Sequence, residues 1–211
     1  MDTSAQNKAK ARTRRAPEIA RREIIEASRL EIEESADGKI SVSAIMRRMG
    51  MRQSNFYHYF QSLDEVILEL LLDLEADVKD AVEPWLKGRQ SSINPREDTI
   101  AHLTAMLSAG RKHRKVLSAA MRATNSSETV YTHWKSRILD VYFDQAKAFI
   151  EKQVGEGHSH VSDPASAAKA LVLMNFGAWM DDLWRDDPTD PAELGRTVGA
   201  IWNDVIYGPS Q

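Results

Sequence analysis

The side chains of this sequence that could take part in catalysis do not form a recognisable catalytic or metal site. His158 and His160 are separated by one residue, but no carboxylates stand near them at the spacing of metal ligands. Asp181-Asp182 and Asp186-Asp187 are adjacent pairs, and because neighbours on a helix point about 100° apart, neither pair can share a proton or a metal ion. The sequence has no glycine-rich phosphate loop and no nucleophile elbow. We therefore predict that the protein is not an enzyme and has no metal site and no cofactor.

A second group of polar side chains has the chemistry of DNA recognition. Residues 52–55 are Arg-Gln-Ser-Asn, and in a major groove arginine pairs with guanine and glutamine with adenine. Residues 57–59 are Tyr-His-Tyr, whose O–H and N–H groups can donate to the flanking phosphates. The candidate DNA contacts, including two arginines near the N-terminus and two serines before the cluster, are Arg14, Arg15, Ser41, Ser43, Arg52, Gln53, Ser54, Asn55, Tyr57, His58 and Tyr59.

The elements around this cluster form a predicted helix-turn-helix. Ser41 can cap a short helix, and Ile45 lies on its inward face. Gly50 permits the positive φ of a tight turn, and a third helix from about Arg52 to Phe60 presents the polar cluster at its front. The alternative is a helical adaptor whose head binds another protein. Such a surface needs exposed apolar anchors, so the polar front of the third helix favours DNA.

The same stretch resembles the DNA-binding domain of the TetR family of bacterial repressors. The matching residues are Ser41-Val42, Ile45, Gly50, Phe56-Tyr57-x-Tyr59-Phe60 and Ser62-x-x-Glu65. The resemblance implies a dimer of all-α subunits, in which a ligand-binding body follows a three-helix head and an effector releases the DNA. Met49 replaces the usual alanine before the turn glycine, and Leu63 replaces a lysine that often holds a phosphate. Arg47, Arg48 and the basic N-terminal arm are candidates to replace that contact.

Charge is distributed unevenly along the 211 residues. Residues 1–60 carry 12 Lys/Arg against 8 Asp/Glu, a net charge of +4, whereas residues 61–211 carry 16 against 23, a net charge of −7. This pattern fits a basic head that meets an anion, although ordinary scatter of surface charge can produce it as well. We predict a disordered basic arm over residues 1–15, a helix-turn-helix DNA-binding domain over 16–61, and a ligand-binding and dimerisation domain over 62–211.

The rest of the chain is predicted to be helical. Apolar residues recur at helical spacing behind capping signals such as Asn94-Pro95, Asp163-Pro164 and Asp190-Pro191. Pro84 should bend or end the fourth helix, and one long helix should run over about 126–154. About nine helices result, which predicts an all-α fold. Without cysteine or a run of about 18 apolar residues, neither disulfides nor a membrane partner are expected, and we expect a cytoplasmic bacterial protein.

The body is predicted to hold an effector. All five tryptophans and eleven of the fifteen aromatic residues lie there, which predicts an elongated apolar cavity for a small hydrophobic effector with one or two hydrogen-bonding groups. Because no cluster of Arg or Lys interrupts these apolar stretches, a strongly anionic effector is not favoured. The candidate ligand contacts are Leu103, Met106, Met121, Trp134, Val172, Asn175, Trp179 and Trp202.

Two motifs in the last two helices are similar to those of a mycobacterial repressor of the same family. They are Ala170–Asn175 and Ile201-Trp202-x-x-x-Ile206-Tyr207-Gly208. In that repressor two asparagines line an elongated tunnel and hold ligands, and Asn175 matches the second while Val172 replaces the first. If Asn175 is buried, its amide needs a partner. That partner is either a backbone carbonyl or a polar group of the ligand.

The last two helices also carry more apolar side chains than one core-facing stripe requires. These side chains include Leu171, Met174, Ala178, Leu183, Val198, Ile201 and Val205. The family resemblance implies a four-helix bundle at this position, with two helices from each subunit. We therefore predict a homodimer through the last two helices, which binds a near-palindromic double-stranded DNA operator.

Overall fold

The structure is a computed structural model that describes residues 17–35, 38–86 and 94–209. Within these residues the chain forms α1 (Pro17–Glu34), α2 (Val42–Arg48), a 3₁₀ helix (Gln53–His58), α3 (Leu63–Leu86), α4 (Pro95–Lys112), α5 (Arg114–Thr124), α6 (Glu128–Trp134), a π-helical turn (Lys135–Leu139), α7 (Asp140–Gly155), α8 (Pro164–Trp184) and α9 (Pro191–Tyr207). The described residues contain no strand, and the predicted all-α fold is confirmed.

Side-chain caps explain where most of these helices begin. The Oγ of Ser41 accepts a hydrogen bond from the backbone N–H of Ala44 at 3.2 Å, which satisfies one of the free donors at the start of α2. Asn94, Ser127, Asp163 and Asp190 cap α4, α6, α8 and α9 in the same way. At the start of α3, the backbone N–H of Glu65 donates to the Oγ of Ser62 at 3.4 Å, and the backbone N–H of Gln61 donates to the Glu65 carboxylate at 3.0 Å.

Three details of these helices differ from the sequence prediction, which expected Pro84 to bend or end the fourth helix. Pro84 does not end α3, because it lies in the last turn, where the missing N–H costs a single hydrogen bond to Asp80 and the helix continues to Leu86. The long helix expected over 126–154 is divided by the π-helical turn into α6 and α7. The third helix of the head is a 3₁₀ helix, held by bonds such as that from the backbone N–H of Tyr59 to the carbonyl of Phe56 at 2.9 Å.

The head is built around the side chains that its three helices turn inward. Ile24, Ile45 and Phe56 have no exposed surface, and Phe60 stacks on Phe56 with ring centroids 5.5 Å apart. The guanidinium of Arg21 lies over the Phe60 ring at 4.0 Å, a cation–π contact that ties α1 to the end of the helix-turn-helix. The 3₁₀ helix is therefore held from behind, with its polar side chains outward.

The body surrounds the far half of α3. α4 and α9 pack together through Gly195 and Gly199, where an added Cβ would lie 2.2 Å from Thr104 Oγ1 and 2.6 Å from Ile100 Cγ1. The buried apolar side chains of head and body form one continuous cluster, and α3 contributes to both ends of it. Among the described residues, no helix combines the length and hydropathy needed to cross a membrane.

Candidate functional site

The turn before the recognition segment has the geometry that the sequence predicted. Gly50 has a φ of 64°, in the left-handed region that favours glycine. Its backbone N–H donates to the carbonyl of Arg47 at 3.0 Å, and the N–H of Met51 donates to the carbonyl of Met46 at 2.9 Å. A side chain at position 50 would meet open space, so the backbone angle is the reason that glycine suits this position.

The 3₁₀ helix presents a polar face to solvent. Arg52 precedes this helix and is exposed, as are Gln53, Ser54, Tyr57 and His58, while Phe56 points into the core. The two serines of the predicted set, Ser41 and Ser43, are exposed on α2. Asn55 and Tyr59 are half-buried, which leaves them less surface for a partner. Arg14 and Arg15 lie outside the described residues, as does the whole predicted arm.

Arg48 is not available to replace the missing phosphate-binding lysine. Its Nε donates to Glu31 at 2.7 Å and its Nη2 bonds Glu34, both on α1. These two carboxylates raise the pKa of Arg48, with Glu34 contributing more. The neighbouring Arg47 is exposed on the surface of α2, so Arg47 is the arginine of this pair that can contact a phosphate.

Polar contacts join the head to the body at several points. Lys115 of α5 donates to the carbonyls of Glu33 and Ser35 at the end of α1, at 2.6 and 3.3 Å. Ser127, the cap of α6, donates to the carboxylate of Asp64 at 2.7 Å. These contacts fix both the end of α1 and the beginning of α3 to the body. The positions of α5 and α6 are therefore linked directly to two helices of the head and its border.

A third junction lies halfway along α3. Asp77 bonds Lys112 at 2.6 Å and His113 at 2.8 Å, where α4 meets α5. Lys112 makes the larger contribution and His113 the smaller one to holding the pKa of Asp77 below its ordinary value. Asp77 therefore stays ionised and links α3 to the α4–α5 junction through charge-assisted hydrogen bonds.

The body contains a small apolar cavity of about 30 Å³ where α3, α4, the π-helical turn, α7 and α8 meet. This volume suits about one water molecule, so the elongated cavity predicted from the sequence is not open in this structure. The cavity is lined by Val78, Met106, Trp134, Ile138, Leu139, Tyr142, Val172, Asn175, Phe176 and Trp179. Of the eight predicted ligand contacts it brings together Met106, Trp134, Val172, Asn175 and Trp179. Leu103, Met121 and Trp202 are buried in the core and do not line the cavity.

A directed chain of hydrogen bonds closes one side of this cavity. The indole N–H of Trp202 donates to Asn175 Oδ1 at 3.1 Å, and Asn175 Nδ2 donates to the Tyr142 hydroxyl at 3.4 Å. Because the carbonyl of Ala81 can only accept, His102 Nδ1 carries the proton and donates to it at 3.2 Å. His102 Nε2 then accepts from the Tyr142 hydroxyl at 3.2 Å. The partners of Asn175 are thus two side chains, and not the backbone carbonyl considered from the sequence.

Burial determines the protonation states of His102 and Tyr142 in this hydrogen-bond chain. His102 has no exposed surface, and burial lowers its pKa to about 4, so the ring is neutral at pH 7. Burial likewise raises the pKa of Tyr142, which keeps its hydroxyl proton available to His102. Trp179 differs from these residues, since its buried indole N–H has no hydrogen-bond partner and its ring packs against Gly110. The cavity wall therefore contains one unpaired donor.

Sequence reasoning missed His102 and Tyr142, although a periodic signal was present. His102 lies between Thr99 and Met106 on the buried stripe of α4. Tyr142 continues the stripe that begins at Ile138. Helical spacing placed both in the core, but their pairing between α4 and α7 has no local signature.

The outer face of α8 and α9 carries exposed apolar side chains. Leu173, Ile201 and Val205 are 43%, 42% and 43% exposed. Leu171, Leu183 and Val198 are buried in the core of the same chain instead. Val198, which the sequence counted among the surplus apolar side chains of these helices, is therefore a core residue and does not belong to their exposed face.

Comparisons of sequence and of fold identify similar proteins, although no family model matches the chain. The chain is similar to the HTH-type transcriptional regulator EthR of Mycolicibacterium smegmatis, with 26% identity over 176 residues that cover 81% of this chain and 78% of the relative. The likeness to the mycobacterial ethionamide-resistance repressor that the motifs of α8 and α9 predicted is confirmed.

Two solved structures have the same fold. PfmR, a TetR-family transcriptional regulator from Thermus thermophilus, matches with a TM-score of 0.65 and 21% identity over 90% of this chain and 100% of that one. SmeT of Stenotrophomonas maltophilia, in its complex with triclosan, matches with a TM-score of 0.62 and 15% identity over 87% of this chain and 90% of that one.

Proposed function

We infer that this chain is a TetR-family transcriptional regulator, which binds DNA through its head and responds to a small molecule in its body. The observation that carries this function is the exposed polar face of Gln53, Ser54, Tyr57 and His58, held by a buried Phe56 behind a glycine turn. An exposed apolar face would have favoured the protein-binding adaptor. In this proposal the head, residues 16–61, binds DNA, and the body, residues 62–211, binds the small molecule.

The regulator acts as a dimer on a near-palindromic operator. The exposed apolar residues Leu173, Ile201 and Val205 support a four-helix interface made by α8 and α9 of two subunits. Two-fold symmetry then presents two 3₁₀ helices to successive major grooves about 34–36 Å apart. Gln53 and Arg52 read base edges, and Tyr57, His58 and the two serines of α2 contact phosphates.

A hydrophobic effector releases this repressor from its operator by enlarging the cavity. The walls of the cavity are tryptophans and aliphatic side chains. Asn175 supplies the polar contact, because it gives up its hydrogen bond to Tyr142 or Trp202 and bonds the ligand instead. Leu103, Met121 and Trp202 lie in the core behind the residues that line the cavity, and an enlarged cavity reaches them. Because α3 runs from the cavity to the head, separating Val78 from α8 changes the pose of the head. The ligand drives this shift only by the difference in its affinity for the two states.

A selection from random duplex DNA tests this function. The purified full-length protein is mixed with a pool of random 40-base-pair duplexes, and the bound fraction is sequenced over several rounds. We expect enrichment of a near-palindrome whose half-sites are about one helical turn apart. Recovery of the unselected base composition would contradict sequence-specific binding and favour the adaptor alternative.

A further inference from the structure

A surface groove lies beside the small cavity, between α3 on one side and the π-helical turn with α7 on the other. It has a volume of about 450 Å³, within the range of small-molecule sites. Its apolar floor includes Val78, Val82 and Ile138, and two of these side chains are almost fully buried. The groove therefore offers a ligand an apolar surface that is already formed.

The groove and the cavity share one wall. Val78, Ile138 and Tyr142 line both spaces, so the two are separated by a single layer of side chains. Ile138 belongs to the π-helical turn, and such turns are often found at functional sites because the extra residue changes the direction of neighbouring side chains. A shift of Ile138 would connect the groove with the small cavity, which Trp134 and Trp179 also line.

The rim of the groove carries two cations and one carboxylate. Arg137 is 65% exposed, and Lys79 is exposed without an ion pair to any other described residue. Glu75 is only 14% exposed, and it is already bound by His133 at 2.5 Å and by Arg137 Nε at 3.8 Å. Lys79 and Arg137 together exceed Glu75 by one positive charge. The rim therefore matches a ligand with a single negative charge.

We propose that the groove binds a monocarboxylate amphiphile, with its carboxylate between Lys79 and Arg137 and its apolar part over Val78 and Ile138. The apolar end passes the shared wall and enters the cavity. A guanidinium can hold a carboxylate through two parallel hydrogen bonds, while the lysine adds a point charge. This proposal rests on the proposed function and names the class of its effector. It adds a single negative charge to the small hydrophobic effector expected from the sequence, because the two cations come together only when α3 packs against the π-helical turn.

Decanoate and decanamide test this proposal, since they share one hydrocarbon chain and differ in charge. Isothermal titration calorimetry at pH 7.5 measures both on the wild-type protein, on Lys79→Gln/Arg137→Gln, and on the control Lys147→Gln/Lys152→Gln, which removes two exposed cations of α7 outside the groove. We expect the wild type and the control to bind decanoate at least tenfold more tightly than decanamide. The groove variant should bind the two compounds equally.

Three outcomes overturn the proposal. They are equal affinities on the wild type, a preference for decanoate that survives in the groove variant, and absence of binding by both compounds. Operator release is followed in parallel by fluorescence anisotropy of labelled duplex. If decanamide alone binds and releases the DNA, the regulator function stands and the assignment of a carboxylate effector fails.

Discussion

At the scale of single residues, two clusters carry the proposed recognition of DNA and of the effector. In the head, Gln53 is exposed at the start of a 3₁₀ helix whose other side is fixed by Phe56. In the body, Tyr142 occupies the centre of a hydrogen-bond chain, since it donates to His102 and accepts from Asn175. The proposed base contact of Gln53 and the observed hydrogen bonds of Tyr142 both depend on the buried residues that hold these side chains in place. Their removal should therefore have specific and separable effects.

Replacing Gln53 by alanine should weaken operator binding without weakening binding to random DNA. A bidentate contact to a base contributes about 1–3 kcal/mol of discrimination, because the wrong base leaves donors and acceptors unpaired. Fluorescence anisotropy with the selected operator and with a scrambled duplex measures the difference. Gln61→Ala is the control, an exposed glutamine outside the 3₁₀ helix, and it should affect both duplexes alike. An equal loss on both duplexes for Gln53→Ala would show that Gln53 does not read a base.

Replacing Tyr142 by phenylalanine should destabilise the folded protein by about 1–3 kcal/mol. The change keeps the ring but leaves His102 Nε2 without its donor and Asn175 Nδ2 without its acceptor in a buried site. Urea unfolding followed by circular dichroism measures the free energy of unfolding. Tyr131→Phe is the matched control, because Tyr131 is 50% exposed and its change leaves no buried group unpaired. Similar stabilities for the two variants would mean that the hydrogen-bond chain contributes nothing.

At the scale of elements, close contact between α4 and α9 holds the body together. Gly195 and Gly199 are one turn apart on α9 and allow its backbone to approach Thr104 and Ile100. This packing leaves the other side of α9, with Ile201 and Val205, directed outward. The same glycines thus set the position of the proposed interface. The tryptophan of α9 also depends on this contact, because Trp202 must reach Asn175 on α8.

Replacing Gly195 by alanine should destabilise the protein by about 1–3 kcal/mol, since the added Cβ would lie 2.9 Å from the Cα of Thr104 and the backbones must separate. Gly155→Ala is the control. It lies in the last turn of α7, meets no atom within 4 Å, and should be neutral or slightly stabilising. Thermal unfolding of both variants gives the comparison. Equal melting temperatures would argue against close packing of α4 and α9.

At the scale of the whole molecule, α3 is the one helix among the described residues that contributes to the head core, the Asp77 junction, the cavity and the groove. In the proposed regulator, a ligand in the body and DNA at the head therefore both act on α3. In this proposal, only a dimer converts the pose of α3 into a spacing between two DNA-binding heads. Loss of the dimer should consequently abolish operator binding even when each subunit is folded.

Replacing Ile201 by glutamate should produce folded monomers that no longer bind the operator, because a charge would be buried in the interface of α8 and α9. Sedimentation velocity measures the oligomeric state, circular dichroism the fold, and fluorescence anisotropy the affinity for the operator. Ala148→Glu, an exposed position of α7, is the control and should remain dimeric. A dimer that persists in Ile201→Glu would move the interface to another surface.

The sequence by itself determined the features that depend on neighbours along the chain. The caps at Ser41, Asn94 and Asp190 and the positive φ of Gly50 involve residues no more than a few positions apart. The helix-turn-helix, the all-α fold and the polar reading face could therefore be predicted. Amphipathic spacing also placed Asn175 in the core, where it lines the cavity.

Tertiary structure alone decided which of these residues meet. Val198 and Ile201 are apolar neighbours on α9, yet the first is buried and the second exposed, because the position of α4 selects the inward face. The partners of Asn175 lie on α7 and α9. Lys79 of α3 and Arg137 of the π-helical turn line the same groove only because these two elements pack side by side. Contacts of this kind join residues far apart in the chain. They depend on how whole helices pack, which a local pattern of residues does not encode.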